Sequence, residues 1–451
     1  MHNDGAHADA AQATVPAGGG TAHPTFGEAL AAWTKIGFLS FGGPAGQIAL
    51  MHKVVVDEKR WLDEQRFLSA LNFCMLLPGP EAMQLATYVG WRLHGLAGGL
   101  AAGLLFVIPG ALVVLALSAF YAAFGNVPVI EAVFVGVKAA VLAIVIQALL
   151  KVSKRALKGN VDWIIAGSAF VAIFLLHLPF PLIILTAAIV GYLRGMGAAP
   201  SAAAAPVAPV ALQTTLRTAA IWLAIWIIPL AAIALSLGPD HVLTRISWFF
   251  SKLAVVTFGG AYAVLAYMAQ EAVQNFGWLK PGEMLDGLGL AETTPGPLIL
   301  VTKFVGFMAG FRSGTGGSWW MALAAAIVTL WATFAPCFLW IFAGAPYVER
   351  LNAEPKLKAA LGAVTAAVVG VILNLSVWFA LNVLFGTVSA TAIGPLSVLL
   401  PVPSSINLVA AVLSIVAVVA MFWFHRGVLT TLVLCGGLAF LWHIGAGAMA
   451  G

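Results

Sequence analysis

The chain has 451 residues, of which 61% are hydrophobic and 9% are charged, and its mean hydropathy is +1.00. Soluble domains carry about a quarter charged residues, so this composition excludes a soluble enzyme and indicates an integral membrane protein. We assign the net charge of +5 to loops at the membrane surface and expect no nucleic-acid partner.

Residues 1–25 are rich in Ala, Gly and His and contain no Lys or Arg. A secretory signal needs a basic start and an apolar core, so we expect these residues to form a disordered tail. The three cysteines of the chain, Cys74, Cys337 and Cys435, lie in apolar runs without a C-x-x-C pair. We therefore expect buried free thiols, no metal site and no cofactor.

The first two apolar runs after the tail are each interrupted by glycine and proline. Gly42-Gly43-Pro44 interrupts the first run, and Pro78-Gly79-Pro80 interrupts the second. Proline removes a backbone donor and clashes with the preceding turn, and glycine weakens a helix, so both points are predicted to be broken helix. At membrane depth such a break persists only where it is buried in protein or lines a watery cavity. The two breaks therefore indicate a substrate site.

Both interruptions recur in the second half of the chain at one offset of 217 residues. The run from Lys252 to Gly260 repeats the pattern of Lys35 to Gly43, and Pro295-Gly296-Pro297 repeats the first Pro-Gly-Pro. Paired interruptions of this kind in two halves are the sequence pattern of a transporter built from repeats, with its binding site at the interruptions.

One residue is then lost, so that Val89-Gly90 faces Val305-Gly306, and the repeat continues further along the chain at an offset of 227. This register pairs Lys138 with Thr365 and Gln147 with Asn374. Lys138 also lies seven residues after Glu131 in the same apolar segment. We expect these two side chains to form a structural ion pair, because a charge within an apolar segment needs a partner.

The repeat divides the chain into four parts after the tail. The first repeat covers 26–196, an Ala/Pro linker covers 197–213, a connecting transmembrane helix covers 214–240, and the second repeat covers 241–451. Each repeat contains six apolar segments, so with the connecting helix we expect about 12–13 transmembrane segments.

Positively charged residues occur in non-equivalent loops of the two repeats. They cluster in loops 52–66 and 151–160 of the first repeat and in loop 344–358 of the second. Because cytoplasmic loops carry the excess of Lys and Arg, the repeats are predicted to face opposite ways across the membrane. The fold class is therefore an all-α integral membrane protein with two inverted-topology repeats and broken or re-entrant helices. We expect it to be multi-pass in the inner (plasma) membrane with a cytoplasmic N terminus.

Each break exposes backbone N–H groups at the start of a half-helix, which favours an anion. Hydroxyl, amide and ammonium side chains around the breaks could add hydrogen bonds and charge. The lysines have an alternative role, in which they reach the membrane interface from helix ends. The candidate substrate-binding residues are Lys35, Ser40, Gly42, Gly43, Asn72, Gly79, Gln84, Thr87, Lys252, Thr257, Gly259, Gly260, Thr293, Thr294, Gly296 and Lys303.

Two carboxylates adjoin the Pro-Gly-Pro breaks. Glu81 follows the first break directly, and Glu292 lies three residues before the second. A carboxylate within an apolar stretch can take up and release a proton, so both are candidates for coupling transport to an ion gradient. The alternatives are that each caps a half-helix or pairs with a lysine.

The sequence contains no P-loop, zinc-protease or serine-hydrolase motif, so an ATP-driven motor is not expected. An intramembrane enzyme acting on lipid or quinone remains the alternative from another class. Such an enzyme would need a cluster of base and nucleophile, which the sequence does not show.

The motifs around the breaks resemble the chromate ion transporter family in its long, two-domain form. In the first half the resemblance is carried by FGGPAGQIALM (41–51), WLDEQRFL (61–68) and LLPGPEAMQLATYVGWRLHG (76–95). In the second half FGGAYAVL (258–265) and TTPGPLILVTKFVGF (293–307) are similar to the C-terminal half of that family. The matching motif positions are Phe41, Gly42, Gly43, Pro44, Pro78, Gly79, Pro80, Glu81, Gln84 and Gly90.

The resemblance implies export of chromate from the cytoplasm, driven by the membrane potential or the proton gradient, and chromate resistance. Sulfate is a structural analogue of chromate, so a carrier of sulfate or another tetrahedral oxyanion is the alternative. The partners expected are a small oxyanion and the lipid bilayer. A homodimer is a common state of such carriers, and the sequence does not require one. In the second half Ala261 replaces Pro44 and Leu298 replaces Glu81, so the two halves differ.

Overall fold

The computed structural model describes residues 23–196, 212–258, 261–314, 317–348, 354–393 and 396–450. The predicted tail up to residue 22, most of the predicted linker, and the candidate site residues Gly259 and Gly260 lie outside this part of the chain.

The first repeat begins with helices on either side of the Gly-Gly break. Helix α1 (Phe26–Leu39) starts at Thr25, whose hydroxyl oxygen accepts a hydrogen bond from the Glu28 backbone N–H while the Glu28 carboxylate accepts one from the Thr25 backbone N–H. Such a capping box fixes the start of a helix. The repeat continues through α2 (Gly43–His52), a π-helical turn (Lys53–Glu58), α3 (Glu64–Leu76), α4 (Glu81–Phe124), α5 (Pro128–Ala156), α6 (Asn160–Phe174) and α7 (Phe180–Gly195).

The rest of the described chain contains nine further helices in nearly the same order. They are α8 (Leu212–Leu237), α9 (Val242–Val256), α10 (Ala261–Gln270), α11 (Pro281–Glu292), α12 (Val301–Arg312), α13 (Trp319–Gly344), α14 (Pro355–Leu384), α15 (Leu408–Val418) and α16 (Val428–Ala450). A π-helical turn (Glu271–Asn275) follows α10, as one follows α2. Helix α4 bends at His94 and Gly95, and its two parts correspond to α12 and α13.

The helices beside the breaks are too short to cross a membrane singly. Helices α1, α2 and α3 have 14, 10 and 13 residues, and α9 to α12 have 10 to 15 residues, whereas a crossing needs about 20. Residues 40–42, 77–80 and 257–258 lie outside helices, and a non-helical stretch also separates α11 from the turn that leads into α12. The prediction of broken helices is therefore confirmed for the described residues.

Six helices of the described chain are long and apolar enough to cross a membrane, namely α4, α5, α8, α13, α14 and α16. Helices α6, α7 and α15 are shorter and also apolar. The protein is thus a multi-pass, all-helical membrane protein, as its composition predicts. One antiparallel hairpin, β1 (Val388–Ile393) and β2 (Leu396–Pro401), lies between α14 and α15.

The two halves of the molecule are interleaved. Helix α5 of the first half packs against α15 and α16 of the second, and α14 of the second half packs against α6 and α7 of the first. One continuous apolar core joins them. The connecting helix α8 packs on α13 and α9 and keeps most of its surface exposed, as expected for a helix that faces lipid. This interleaving brings the breaks of both halves together.

Candidate functional site

The breaks of the two halves are joined by a reciprocal pair of hydrogen bonds. The Gly79 N–H donates to the Thr257 carbonyl at 2.9 Å, and the Gly296 N–H donates to the Ser40 carbonyl at 2.8 Å. Gly79 and Gly296 are equivalent in the repeat, and so are Ser40 and Thr257. Each Pro-Gly-Pro is therefore held by the unwound end of the first helix in the opposite half.

Glycine is required at this joint because the backbone adopts positive φ. The φ angles are +85° at Gly42, +69° at Gly43, +119° at Gly79 and +87° at Gly296, a region that L side chains rarely adopt. Gly110 in α4 is needed for a different reason, since a Cβ there would lie 2.0 Å from the Pro295 carbonyl oxygen. The second Pro-Gly-Pro can approach α4 only at such a position.

A cavity of about 240 Å³ lies beside the joint. Gly43 and Glu81, at the starts of α2 and α4, line it from the first half. Tyr262 and Glu292 line it from the second half, where the Tyr262 hydroxyl donates to the Glu292 carboxylate at 2.9 Å. Both coupling candidates therefore lie in one cavity, and Glu292 is 7% exposed.

Cations lie where the cavity meets the surface. Lys151 and Arg155, near the C-terminal end of α5, line the cavity and are exposed, and Gln147 lies one turn deeper. The Arg155 guanidinium also interacts electrostatically with Glu81. Sequence reasoning placed Lys151 and Arg155 only in a basic loop. The sequence offered one hint, since the repeat register pairs Gln147 with another polar residue, Asn374, within otherwise apolar segments.

The cavity wall carries backbone donors. Neither Gly42 before α2 nor Pro80 before α4 caps its helix with a side-chain hydrogen bond. The first N–H groups of a helix have no partner within the helix and carry a partial positive charge, so they favour an oxyanion. Together with the cations at the mouth, they make the cavity suited to a small anion.

The predicted hydroxyl donors are buried or half-buried near the breaks, and each is already bonded within its own helix. The residues that donate to a carbonyl three or four positions earlier are Ser40, Thr87, Thr257, Thr293 and Thr294. Their hydroxyl hydrogens are therefore used in this conformation, although their oxygens can still accept.

Two glutamines brace the breaks. Gln84 is fully buried, and its Nε2 donates to the Pro78 carbonyl at 2.7 Å, which closes the first Pro-Gly-Pro. Gln47 of α2 is also buried, and its Nε2 donates to the Gly296 carbonyl at 2.6 Å. Sequence reasoning missed Gln47, because its repeat counterpart is a valine and its partner lies 249 residues away.

The structure brings three predicted residues to the surface rather than to the cavity. The Lys35 side chain is 55% exposed and lies 3.7 Å from the Glu58 carboxylate. Its counterpart Lys252 is exposed and lies over the Tyr267 ring at 5.6 Å, and Asn72 is exposed as well. These positions fit the alternative in which the lysines occupy helix ends.

Lys303 is a buried cation outside the cavity. It is 4% exposed, and its Nζ donates to the Ala111 carbonyl at 2.8 Å. Within the described chain it forms no ion pair.

The family model described as "Chromate transporter" matches residues 27–192 and 244–441, once in each half. The chain belongs to the chromate transporter family. The resemblance read from the motifs is thereby confirmed.

Named relatives of this family member are transport proteins. A chromate transport protein of Pseudomonas aeruginosa is 32% identical over 77% of this chain and 79% of its own length. A probable chromate transport protein of Synechococcus elongatus is 31% identical over 75% and 80%, and a chromate transport protein of Cupriavidus metallidurans is 29% identical over 75% and 78%. No solved structure matches the chain significantly. These relatives favour a transporter over an enzyme.

One expected ion pair of this transporter is wrong. Lys138 does not pair with Glu131, because seven residues of helix separate them by about 10 Å along the axis. The Lys138 Nζ lies instead 3.2 Å from Asp286 Oδ1, in α11 of the other half. The three cysteines are buried and free, as expected.

Proposed function

We propose that this protein is a secondary transporter that exports chromate from the cytoplasm and thereby confers chromate resistance. The observation that supports the proposal most directly is the cavity at the joint of the breaks, with the uncapped starts of α2 and α4 inside it and Lys151 and Arg155 at its mouth. Related proteins are named for chromate transport.

The substrate would be recognised by charge and shape. Chromate is a tetrahedral dianion whose oxygens accept hydrogen bonds from several backbone N–H groups at once. Sulfate has the same charge and geometry, so a sulfate or other oxyanion carrier is the competing function. Both would enter the cavity past Lys151 and Arg155.

The membrane potential is sufficient to drive export. Moving one charge through 100 mV is worth about 2.3 kcal/mol, so a dianion leaving a negative cytoplasm gains about 4.6 kcal/mol. Glu81 and Glu292 face the same cavity and would repel the dianion when ionised. We infer that chromate binds more tightly when these carboxylates are protonated, so that occupancy of the site depends on pH. The protons would remain on the protein, because export of two protons with each dianion would be electroneutral and would gain nothing from the membrane potential.

The two halves are proposed to be inverted repeats in the inner membrane, with the N terminus in the cytoplasm. The exchange of basic loops between the halves and the reciprocal bonds of Gly79 and Gly296 support this arrangement. Alternating access would then proceed as one repeat moves against the other around the joint.

The function is tested by chromate uptake into energised everted membrane vesicles, with vesicles that lack the protein as the control. We expect uptake that disappears when valinomycin and potassium collapse the membrane potential. Labelled sulfate is measured in parallel. Uptake of sulfate without chromate would assign the competing function, and no uptake of either anion above the control would refute oxyanion transport.

A further inference from the structure

A second polar cluster lies within the apolar core, away from the cavity. The Lys138 ammonium lies 3.2 Å from Asp286 Oδ1, and the Tyr121 hydroxyl donates to Asp286 Oδ2 at 2.8 Å. The Lys138 and Asp286 side chains are 20% and 6% exposed. Charges at such positions are costly in a membrane protein and are seldom kept without a role. The pair joins α5 of one half to α11 of the other.

The cluster lies beyond the part of α5 that lines the cavity, on the side away from Lys151 and Arg155. Along α5 the cavity is lined from Ile144 to Arg155, with Lys151 near its mouth. Lys138 precedes Ile144 by six residues, or about 9 Å of helix, and precedes Lys151 by about 20 Å. Lys138 therefore lies farther from Lys151 than any residue of α5 that lines the cavity, on the side where α5 contacts α11.

The repeat register shows which residues occupy the equivalent position in the other half. The counterparts of Lys138 and Asp286 are Thr365 in α14 and Ser69 in α3. Thr365 lines the open cavity, and α3 contributes Met75 to the same wall, so the cavity occupies the space between α3 and α14. Helices α5 and α11, the equivalent pair, are packed directly together. The same interface is open in one half and closed in the other.

The counterparts of the mouth residues show the same asymmetry. Gln147 and Lys151 correspond to Asn374 and Trp378 of α14. Asn374 and Trp378 line a second pocket of only about 30 Å³. One side of the molecule is thus open to the joint, and the equivalent side is nearly filled.

We propose that Lys138, Asp286 and Tyr121 form the gate on the closed side, and that Lys138 binds the oxyanion once this gate opens. The inference rests on the proposed transport function. In the alternate conformation Lys138 would line the cavity on its side, as Thr365 lines the present one.

The geometry of the pair suits exchange of partners. The Lys138 ammonium lies 3.2 Å from Asp286 Oδ1, and the Tyr121 hydroxyl donates to the other carboxylate oxygen, Oδ2. A dianion arriving from the joint can replace the Asp286 carboxylate beside Lys138. The lysine then keeps a counter-ion throughout, and the displaced Asp286 carboxylate keeps the hydrogen bond from the Tyr121 hydroxyl.

The gate is tested by cysteine accessibility, which does not require transport. In a protein with Cys74, Cys337 and Cys435 replaced by alanine, Asn374→Cys reports on the closed side and Gln147→Cys on the open side. A membrane-impermeant maleimide is applied to right-side-out and everted vesicles. We expect Asp286→Asn to raise labelling at position 374 at least threefold and to lower labelling at position 147.

The matched control is Glu283→Gln, one turn earlier in α11. Glu283 pairs with Arg312 of α12, so this change breaks an ion pair within one half and should leave both labelling rates as in the wild type. Exchange of the charges, Lys138→Asp with Asp286→Lys, should restore the closed state. If Asp286→Asn does not reach the membrane, Lys138→Met breaks the same pair and is measured in its place.

Unchanged labelling in the pair-breaking variant, or the same change in Glu283→Gln, would overturn the gate. These labelling results stand whether or not the vesicles take up chromate. A failure of the gate is therefore distinguishable from a failure of the proposed function. Where chromate uptake is observed, Lys138→Met should lower it at least tenfold, and wild-type uptake would overturn the anion-binding role of Lys138.

Discussion

Lys151, Lys154 and Arg155 are three exposed cations within five residues of α5, yet only the first and last line the cavity. The helix turns about 100° per residue, so Lys154 points about 100° away from the adjacent Arg155, at the edge of the arc of α5 that lines the cavity. Cations lining a cleft raise the local concentration of an anionic substrate, whereas a cation elsewhere adds only to the diffuse field. Position on the helix therefore separates functional charge from general surface charge.

This difference gives a matched comparison at the level of single residues. The double variant Lys151→Gln with Arg155→Gln should raise the apparent KM for chromate about tenfold, because the dianion loses both charges at the mouth. Lys154→Gln should leave it unchanged. The measurement is initial uptake at low ionic strength, where screening is weakest. An equal effect of all three substitutions would show that only the net basic charge matters.

Lys35 shows where residue spacing misleads. It lies six residues before Phe41, at the edge of the break, but α1 ends at Leu39, so helical spacing does not extend to the break. The Lys35 side chain is exposed and lies away from the cavity. Its partner is Glu58 in the π-helical turn, a contact that spacing alone does not predict.

The elements beside the breaks are short, and side chains at their ends hold them in place. His52 at the end of α2 contacts Glu64 at the start of α3 and lies 3.5 Å from Asp57, outside the apolar segments. The hydrogen bond to Glu64, with the charges of both carboxylates, raises the pKa of His52. The two helices that carry the first pair of breaks are thus tied together by a titrating group.

The tie predicts a pH-dependent contribution to stability. A histidine with a raised pKa in the folded state stabilises fully below its unfolded pKa of about 6.5, and this contribution is lost as the pH rises through the folded value. His52→Gln should therefore lower the melting temperature of the detergent-solubilised protein at pH 5.5 and have no effect at pH 9. His425→Gln is the control, because the described contact of the His425 ring is with the nearby Trp423 carbonyl and not with a carboxylate. A pH-independent difference for His52→Gln would contradict the tie.

At the scale of helices, the breaks could be predicted from the sequence because glycine and proline act on their own backbone. Gly79 and Gly296 adopt positive φ, which glycine reaches without a steric cost. The partners across the halves could not be predicted, since they depend on how α5 packs among α15 and α16. Gln47, Tyr262 and Asp286 each contribute to a polar contact that only the tertiary packing creates.

The whole molecule consists of two halves with similar orders of helices, and the helices of the two halves are interleaved. Basic loops occur at different positions in the two halves, and equivalent loop residues are therefore expected on opposite sides of the membrane. Asp57 and Gln274 occupy equivalent positions in the two π-helical turns, and both are exposed. They offer a direct test of this orientation.

In a background without native cysteines, Asp57→Cys and Gln274→Cys should react with an impermeant maleimide from opposite faces. Intact cells are expected to label position 274 and not position 57, and permeabilised cells should label both. Total cysteine content, measured after denaturation, controls for expression. Labelling of both positions in intact cells, or of neither, would show that the halves are parallel rather than inverted.

The crossed bonds of Gly79 to Thr257 and of Gly296 to Ser40 make the two halves interdependent. A half produced alone would lack the hydrogen-bonding partners that the other half supplies. Its Pro-Gly-Pro N–H group and its helix-end carbonyl would then be unsatisfied within the membrane. Such a half could fold stably in the membrane only with a partner that replaces these hydrogen bonds, either the missing half or a second copy of itself. Duplication and fusion of the gene for one half would then ensure that the two halves are always synthesised together in equal amounts.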